Sequence, residues 1–193
     1  MEPKRSYHHG DLRNALLVAT TELVRERGAQ GFSVSEAARR AGVSTSAPYR
    51  HFNDREAMLA AAAQLGFQAL EKRFSDLPDA QAFDSRAAWI AVSYLRFAQE
   101  DPARFETMFA SGIDKSRHEG LLRQTIVVQE LFEAALRPFL APAEIVGRAA
   151  ELWSLAHGVA TLALQGNLQH VVDAGQVEAV AENAARSWAV GVS

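Results

Sequence analysis

Residues 32–56, FSVSEAARRAGVSTSAPYRHFNDRE, place two short helical segments on either side of a single glycine, and that spacing narrows the possible folds more than any other feature of the chain. Ser33 followed three residues later by Glu36 reads as a capping box, in which hydroxyl and carboxylate would each satisfy a free backbone N–H at the start of a helix over residues 34–41. Gly42 can adopt the left-handed conformation that ends a helix abruptly. Val43 can pack beneath the turn, and Ser44 can cap a second helix over residues 45–52. Pro48 falls about one turn into that helix, where its missing N–H removes at most one hydrogen bond. On this reading Ala37, Ala38, Ala41, Val43, Tyr49 and Phe52 form a small core, while Thr45, Ser46, Ala47 and Arg50 point outward. Short polar and basic groups on a projecting helix suit DNA base edges, the use made of a helix-turn-helix, although αα-hairpins of this size also occur without nucleic acid.

The rest of the composition is compatible with that use. Of 193 residues 48% are hydrophobic, enough for a buried core of one domain or two small ones. There is no cysteine, so neither disulfides nor thiolate metal sites are expected, and no apolar run reaches membrane-spanning length. The basic N-terminus lacks a signal peptide's apolar stretch, and a cytoplasmic location is expected. The formal net charge of −3 argues against a nucleic-acid partner until it is divided: residues 1–56 hold nine Lys/Arg against seven Asp/Glu, and the remainder eleven against sixteen. A basic end facing an acidic end fits a DNA-contacting domain over residues 1–56 and a non-DNA domain over residues 57–193.

Taken in order, Lys4 and Arg5 form a short polar arm that can touch phosphates or enter a minor groove, or stay solvated. His8 and His9 are adjacent and diverge around any helix, which is poor metal-ligand geometry. A first helix over residues 11–27 turns Leu12, Leu16, Ala19 and Leu23 to one face and ends at Gly28 and Gly31. Asn53 or Asp54 can cap a helix over residues 54–74 with Met58, Leu59, Ala62, Leu65, Ala69 and Leu70 on its apolar side; it connects the two domains, and Arg55 at its start can meet a phosphate. Gly66 within it reads as a flexible point or, more commonly, as the close approach of a neighbouring helix where no side chain fits. A loop over residues 77–83 precedes helices over residues 84–100 and from Pro102 onward. Residues 111–117, SGIDKSR, read as a mobile loop. A helix carrying Leu121, Val128, Phe132 and Ala135 stops at Pro138. A long helix from Pro142 bears two apolar stripes, one through Ile145, Ala149, Leu152, Ala156, Val159 and Ala163, the other through Val146, Ala150, Trp153, His157, Ala160 and Leu164. A last helix carries Val177, Ala181, Ala184 and Trp188. The expected fold is all-α, with no strand.

The stretch AGVSTSAPYRHFNDREAML resembles the signature of the TetR family of bacterial transcriptional repressors, matched at Ala41, Gly42, Val43, Ser44, Tyr49, His51, Phe52, Glu56 and Leu59. Residues 7–17, YHHGDLRNALL, and residues 22–28 are similar to that family's first helix. In residues 151–158, ELWSLAHG, Trp153, His157 and Gly158 look like the Trp-His-Gly pattern of one TetR subgroup's C-terminal domain, a subgroup that also tends to carry the Ala-Pro-Tyr-Arg-His-Phe found at residues 47–52. The resemblance implies an N-terminal three-helix DNA-binding domain, a C-terminal helical ligand-binding bundle, a homodimer built from the last two helices, and a palindromic double-stranded operator. It puts Ser35, Thr45, Ser46, Ala47 and Arg50 near base edges, with Ser44 beside them, and Tyr49, His51 and Arg55 on phosphates. Where the family often has lysine and glycine this chain has Thr45 and Ser46, which leaves the base sequence open.

No nucleophile, base and oxyanion set and no metal cluster occurs at recognisable spacing, so an enzyme is not expected, and neither cofactor, metal nor membrane is called for. As a regulator, the acidic part should bind a small, mostly apolar effector. Trp89, Phe105, Met108, Phe109, Phe132 and Trp153 would supply apolar walls and His157 the polar handle, although such residues are more often plain core. The alternative is a helical interaction or ligand-binding module without specific DNA binding.

Overall fold

The computed structural model describes residues 9–78 and 82–192, which are helical, with no strand among them. Lys4, Arg5 and His8 lie outside the described residues. The helices are α1 (His9–Gly31), α2 (Val34–Arg40), α3 (Arg55–Ser75), α4 (Phe83–Glu100), α5 (Pro102–Met108), α6 (Glu119–Leu136), α7 (Ile145–Leu164) and α8 (Val177–Val192). They pack as two compact units. The first takes the chain up to Phe67 together with Ala103–Arg123, and the second takes Gln68–Pro102 with the chain from Gln124 onward.

In the first unit Leu16, Leu17, Ala19, Leu23 and Val24 of α1 meet Phe32, Val34, Ala37, Phe52, Met58, Leu59 and Ala62. The α1 stripe therefore faces inward as its spacing demands, and each fully buried leucine contributes about 1.5–3 kcal/mol. Gly28 breaks α1 with φ 69° and ψ 168°, a conformation open to glycine, and one further turn follows to Gly31. At the entry to α2 the capping box does not form. The Ser33 hydroxyl pairs with that of Ser35 at 2.8 Å, and the Glu36 carboxylate is taken by Arg39 and Arg27. Side-chain groups a turn apart outcompete the reach back to the cap. Arg40 makes a forked pair with Glu26 at 2.8 and 2.7 Å, tying α2 to α1, and Gly42 at φ 70° ends the element. Asp54, rather than Asn53, caps α3 by accepting the Ala57 N–H at 2.7 Å. Gly66 sits where an added Cβ would fall 2.3 Å from Met108 Cγ, so α5 can approach α3 only over a glycine.

In the second unit α4 packs against both α7 and α8. The contact surfaces are lined with buried alanines: Ala87, Ala91 and Ala98 on α4, Ala149, Ala156 and Ala160 on α7, Ala181, Ala185 and Ala189 on α8. Small side chains let helices approach closely, and polar ties fix the register: Arg96 to Glu178 at 2.7 Å, Arg186 to Asp84 at 2.7 Å, and the Trp188 indole N–H to Glu151 at 2.9 Å. Pro142 lies in a turn and α7 begins at Ile145. Of the two α7 stripes the first is largely buried, whereas Val146 and Trp153 of the second are 60% and 42% exposed in the single chain.

Candidate functional site

The segment expected to be a second helix over residues 45–52 is a short 3-10 turn, Ala47–Arg50. Pro48 lacks the N–H a continuous α-helix would use and disfavours helical backbone at the residue before it, while Ser44 and Ser46 bond to each other at 3.2 Å instead of capping. The Ala47 N–H reaches the Ser44 carbonyl at 3.0 Å, and the N–H groups of His51 and Phe52 both reach the Pro48 carbonyl at 2.9 and 3.0 Å. A tighter turn rotates the side chains relative to an α-helix. Ala47, expected to point outward, is turned inward with 9% of its surface exposed, beside buried Pro48, and Tyr49, expected in the core, is 58% exposed. Ala47 thus lies as a support beneath the turn. Ser44, Thr45, Ser46, Tyr49 and Arg50 are all exposed along this turn, as is Ser35 on α2. Arg50 makes no ion pair with the described residues, and half-buried His51 stands against Phe52 at 6.3 Å between ring centroids.

Arg55 departs from expectation. Its guanidinium donates to the Phe32 carbonyl at 3.0 Å and to that of Ala29, and it lies 5.5 Å from the Phe32 ring centroid. The Phe32 carbonyl lies in the link between α1 and α2, the Ala29 carbonyl also takes the Phe32 N–H at 3.3 Å, and Arg55 bonds both from the first turn of α3. It is a clamp on the α1–α2 corner, not a free phosphate ligand.

The 111–117 loop, read as mobile, is anchored. Glu56, one residue past Arg55, accepts the Asp114 N–H at 2.9 Å and takes Arg117 at 3.3 Å and His118 Nε2 at 3.1 Å. These partners, the Asp114 N–H foremost, hold the Glu56 carboxyl below the usual glutamate range. Gln30 adds a bond to the Ser111 hydroxyl at 3.1 Å. Sequence spacing offers no cue to a tie between residues 58 positions apart in the chain.

The seven residues expected to meet an effector fall into two groups. Phe105, Met108 and Phe109 belong to the first unit, where Phe109 packs on Phe105 and Phe67 at 5.1 and 5.7 Å. Trp89, Phe132, Trp153 and His157 belong to the second, strung around Phe74 and Tyr94. Phe74 meets Phe132 at 4.8 Å and Trp89 at 5.7 Å. Tyr94, which the apolar spacing of α4 did not single out, is fully buried and central. Its hydroxyl accepts the Trp153 indole N–H at 3.3 Å and lies 3.0 Å from His157 Nδ1. The indole can only donate, so the Tyr94 oxygen is an acceptor toward Trp153, and the proton shared with Nδ1 follows the imidazole tautomer. Burial pushes the Tyr94 hydroxyl upward and the His157 imidazole below the ordinary 6.5, so both stay neutral near pH 7. Among the described residues no group of three or more His, Asp or Glu side chains could hold a metal, and no helix is long and apolar enough to cross a membrane.

An all-helical chain whose short exposed turn is propped on a buried corner belongs to the class of helix-turn-helix transcription regulators. Residues 16–62 match the model of bacterial regulatory proteins of the tetR family, and residues 87–188 match that of the tetracyclin repressor-like C-terminal domain. The chain belongs to the TetR family. Among solved structures it is similar to a protein of unknown function from Rhodococcus sp. RHA1, at 27% identity over 97% of this chain and 98% of that one with a TM-score of 0.77. It is also similar to a transcriptional regulator from the same organism, at 21% identity over 93% and 96% with a TM-score of 0.72. The regulator FadR from Bacillus subtilis, solved in complex with stearoyl-CoA, shares the fold at 14% identity over 88% and 95% with a TM-score of 0.68. No curated protein sequence matches the chain.

Proposed function

We propose that this protein is a repressor that holds a palindromic operator as a homodimer and leaves it when a small, mostly apolar effector binds. The observation that carries the proposal is the reading turn: Ser44, Thr45, Ser46, Tyr49 and Arg50 are exposed together while Ala47 and Pro48 are buried beneath them. Ser35 and Arg50 reach base edges with the serines and Thr45; Tyr49 and His51 meet phosphates; Lys4 and Arg5 supply an arm. Residues 1–56 act as the DNA-binding domain and residues 57–193 as the effector and dimer domain, with residues 54–74 as connector and the Trp-His-Gly subgroup as the nearest description of the latter. The exposed Val146 and Trp153 on α7 and Val190 on α8 form the apolar surface that a partner copy covers. Two-fold symmetry then sets half-sites about 34–36 Å apart or a multiple of it. The effector contacts are drawn from Phe105, Met108 and Phe109 in the first unit or from Trp89, Phe132, Trp153 and His157 in the second. Favouring the DNA-incompetent state by ~1–3 kcal/mol lowers operator affinity about 5- to 150-fold, and linkage requires operator to weaken effector binding equally. The protein works in the cytoplasm.

Selection of duplexes from a random pool followed by footprinting tests the reading. Paired, symmetric half-sites are expected, and protection of a single unpaired half-site would overturn the dimeric operator. Arg50→Ala is expected to cost ~1–3 kcal/mol on the selected site and far less on random DNA if the guanidinium forks to a guanine, whereas Tyr49→Phe weakens all sequences alike. Equal losses for Arg50→Ala on both DNAs would reduce Arg50 to a phosphate contact.

A further inference from the structure

The short turn Lys115–Arg117 between α5 and α6 has two sides of opposite chemistry. One side is bonded to Glu56 through the Asp114 N–H, Arg117 and His118. On the other the Lys115 side chain folds back, bringing its ammonium 4.9 Å from the Phe67 ring centroid and 5.8 Å from that of Phe109. The carboxylates along this stretch are committed elsewhere. Asp114 accepts the Ser116 N–H at 3.0 Å and its hydroxyl at 2.6 Å, Glu56 is taken as above, and Glu119 pairs with Arg123. Lys115 therefore has ring faces for partners and no carboxylate among the described residues. Its burial lowers the ammonium's pKa. Ring faces attract a cation more weakly than a hydrogen-bonded anion does, so an arriving carboxylate would displace them and gain a charge-assisted bond. Beside the ammonium, half-exposed Phe109, backed by buried Phe105, offers an apolar wall.

We propose that Lys115 reads the charge of an organic acid, a carboxylate on an apolar body lying against Phe109, and that the turn relays occupancy to Glu56. This rests on the effector reading above and adds its chemical class and route. Drawing the ammonium off Phe67 moves a turn only three residues long, whose ends hold Glu56 in the first turn of α3. The helix that follows the reading turn is thereby released from its tie.

Calorimetry on the full chain with straight-chain carboxylates from butanoate to dodecanoate and the matching alcohols tests the proposal. At least one acid is expected to bind about tenfold or more tightly than its alcohol, the worth of one charge-assisted hydrogen bond. Lys115→Met should abolish that preference, leaving the alcohol and the thermal midpoint unchanged, and Lys115→Arg should keep it. Glu56→Gln should keep acid binding while acid no longer releases selected DNA. If no acid in the series binds better than its alcohol to the wild type, the proposal is overturned whatever the variants do, and an unchanged preference in Lys115→Met overturns it equally. A chain that selects no DNA sequence removes the regulator reading, while calorimetry still decides the role of Lys115.

Discussion

The two units are held by different physics. In the first, the corners around the reading turn are fastened by charged side chains reaching backbone or one another: Arg55 to the Ala29 and Phe32 carbonyls, Arg40 to Glu26, and Glu56 to Arg117 and His118. In the second, the interior between α4 and its neighbours is filled by alanine contacts and by rings, with Phe132 between Phe74 and Tyr94. Directional bonds fix angles and break with little loss of volume. Packed rings fill space, and their loss leaves a hole. Both units have apolar interiors and cross-helix polar ties; the corners next to the exposed turn depend on directional bonds, and the space around Tyr94 depends on packed rings.

The comparison is tested most severely at Phe132. Phe132→Ala should lower the stability of the second unit by ~3–5 kcal/mol, the usual cost of emptying an aromatic core position, read as a drop in the thermal midpoint. DNA binding measured well below that midpoint should survive. If instead operator affinity falls in proportion to stability, the two units unfold as one and the distinction between them has no energetic meaning.

Arg55→Ala should do less to stability and more to geometry. Removing the guanidinium takes a charged donor from the Phe32 and Ala29 carbonyls of the α1–α2 corner, at about 1.5–3 kcal/mol for a charged hydrogen bond. It should weaken binding to selected and random DNA together, because the whole turn loses its angle. Lysine at 55 should not rescue it, since an ammonium cannot fork to both carbonyls. A urea midpoint unchanged in Arg55→Ala would return Arg55 to the role of phosphate ligand.

The smallest effect is a pH dependence in the second unit. The fold holds His157 neutral, its pKa depressed by burial from the ordinary 6.5, so the unfolded chain binds more protons just below that value. Stability therefore rises with pH through this range and falls as pH drops below about 6.5, the loss becoming complete once the folded imidazole also titrates. His157→Gln should flatten the thermal midpoint between about pH 7.5 and 5.5. A midpoint with the same pH slope in both proteins would mean that the Tyr94 bond does not depend on the neutral ring.

Much of the architecture was legible in residue spacing. The inward face of α1 follows from the recurrence of Leu16, Ala19 and Leu23, and the close approach at Gly66 from a glycine in mid-helix. At the turn over residues 44–50 the polar, exposed character was legible in composition, but the angles of the side chains were not. Ala47 and Tyr49 exchanged places because a proline converts an expected helix into a 3-10 turn, and the change in residues per turn swings each side chain round. The Arg55 clamp was not legible because its partners, the Phe32 and Ala29 carbonyls, carry no signature in a side-chain pattern. Tyr94 was missed because α4 is buried over most of its circumference, from Ala87 and Ala88 to Ile90, Ala91 and Leu95, and a stripe cannot be picked out of a surface that is apolar nearly all round. Contacts between remote segments, such as Glu56 with the 111–118 loop, have no period to detect.

The inward turn of Ala47 and Pro48 separates what the turn says from what keeps it standing. Changes at Thr45, Ser46 or Arg50 alter exposed atoms alone, and substitutions of that kind usually shift stability by less than about 0.5 kcal/mol. On the proposed reading of the turn, a lineage could therefore drift from one operator to another through folded intermediates, changing its vocabulary at three positions while the grammar beneath, an alanine and a proline, stays put.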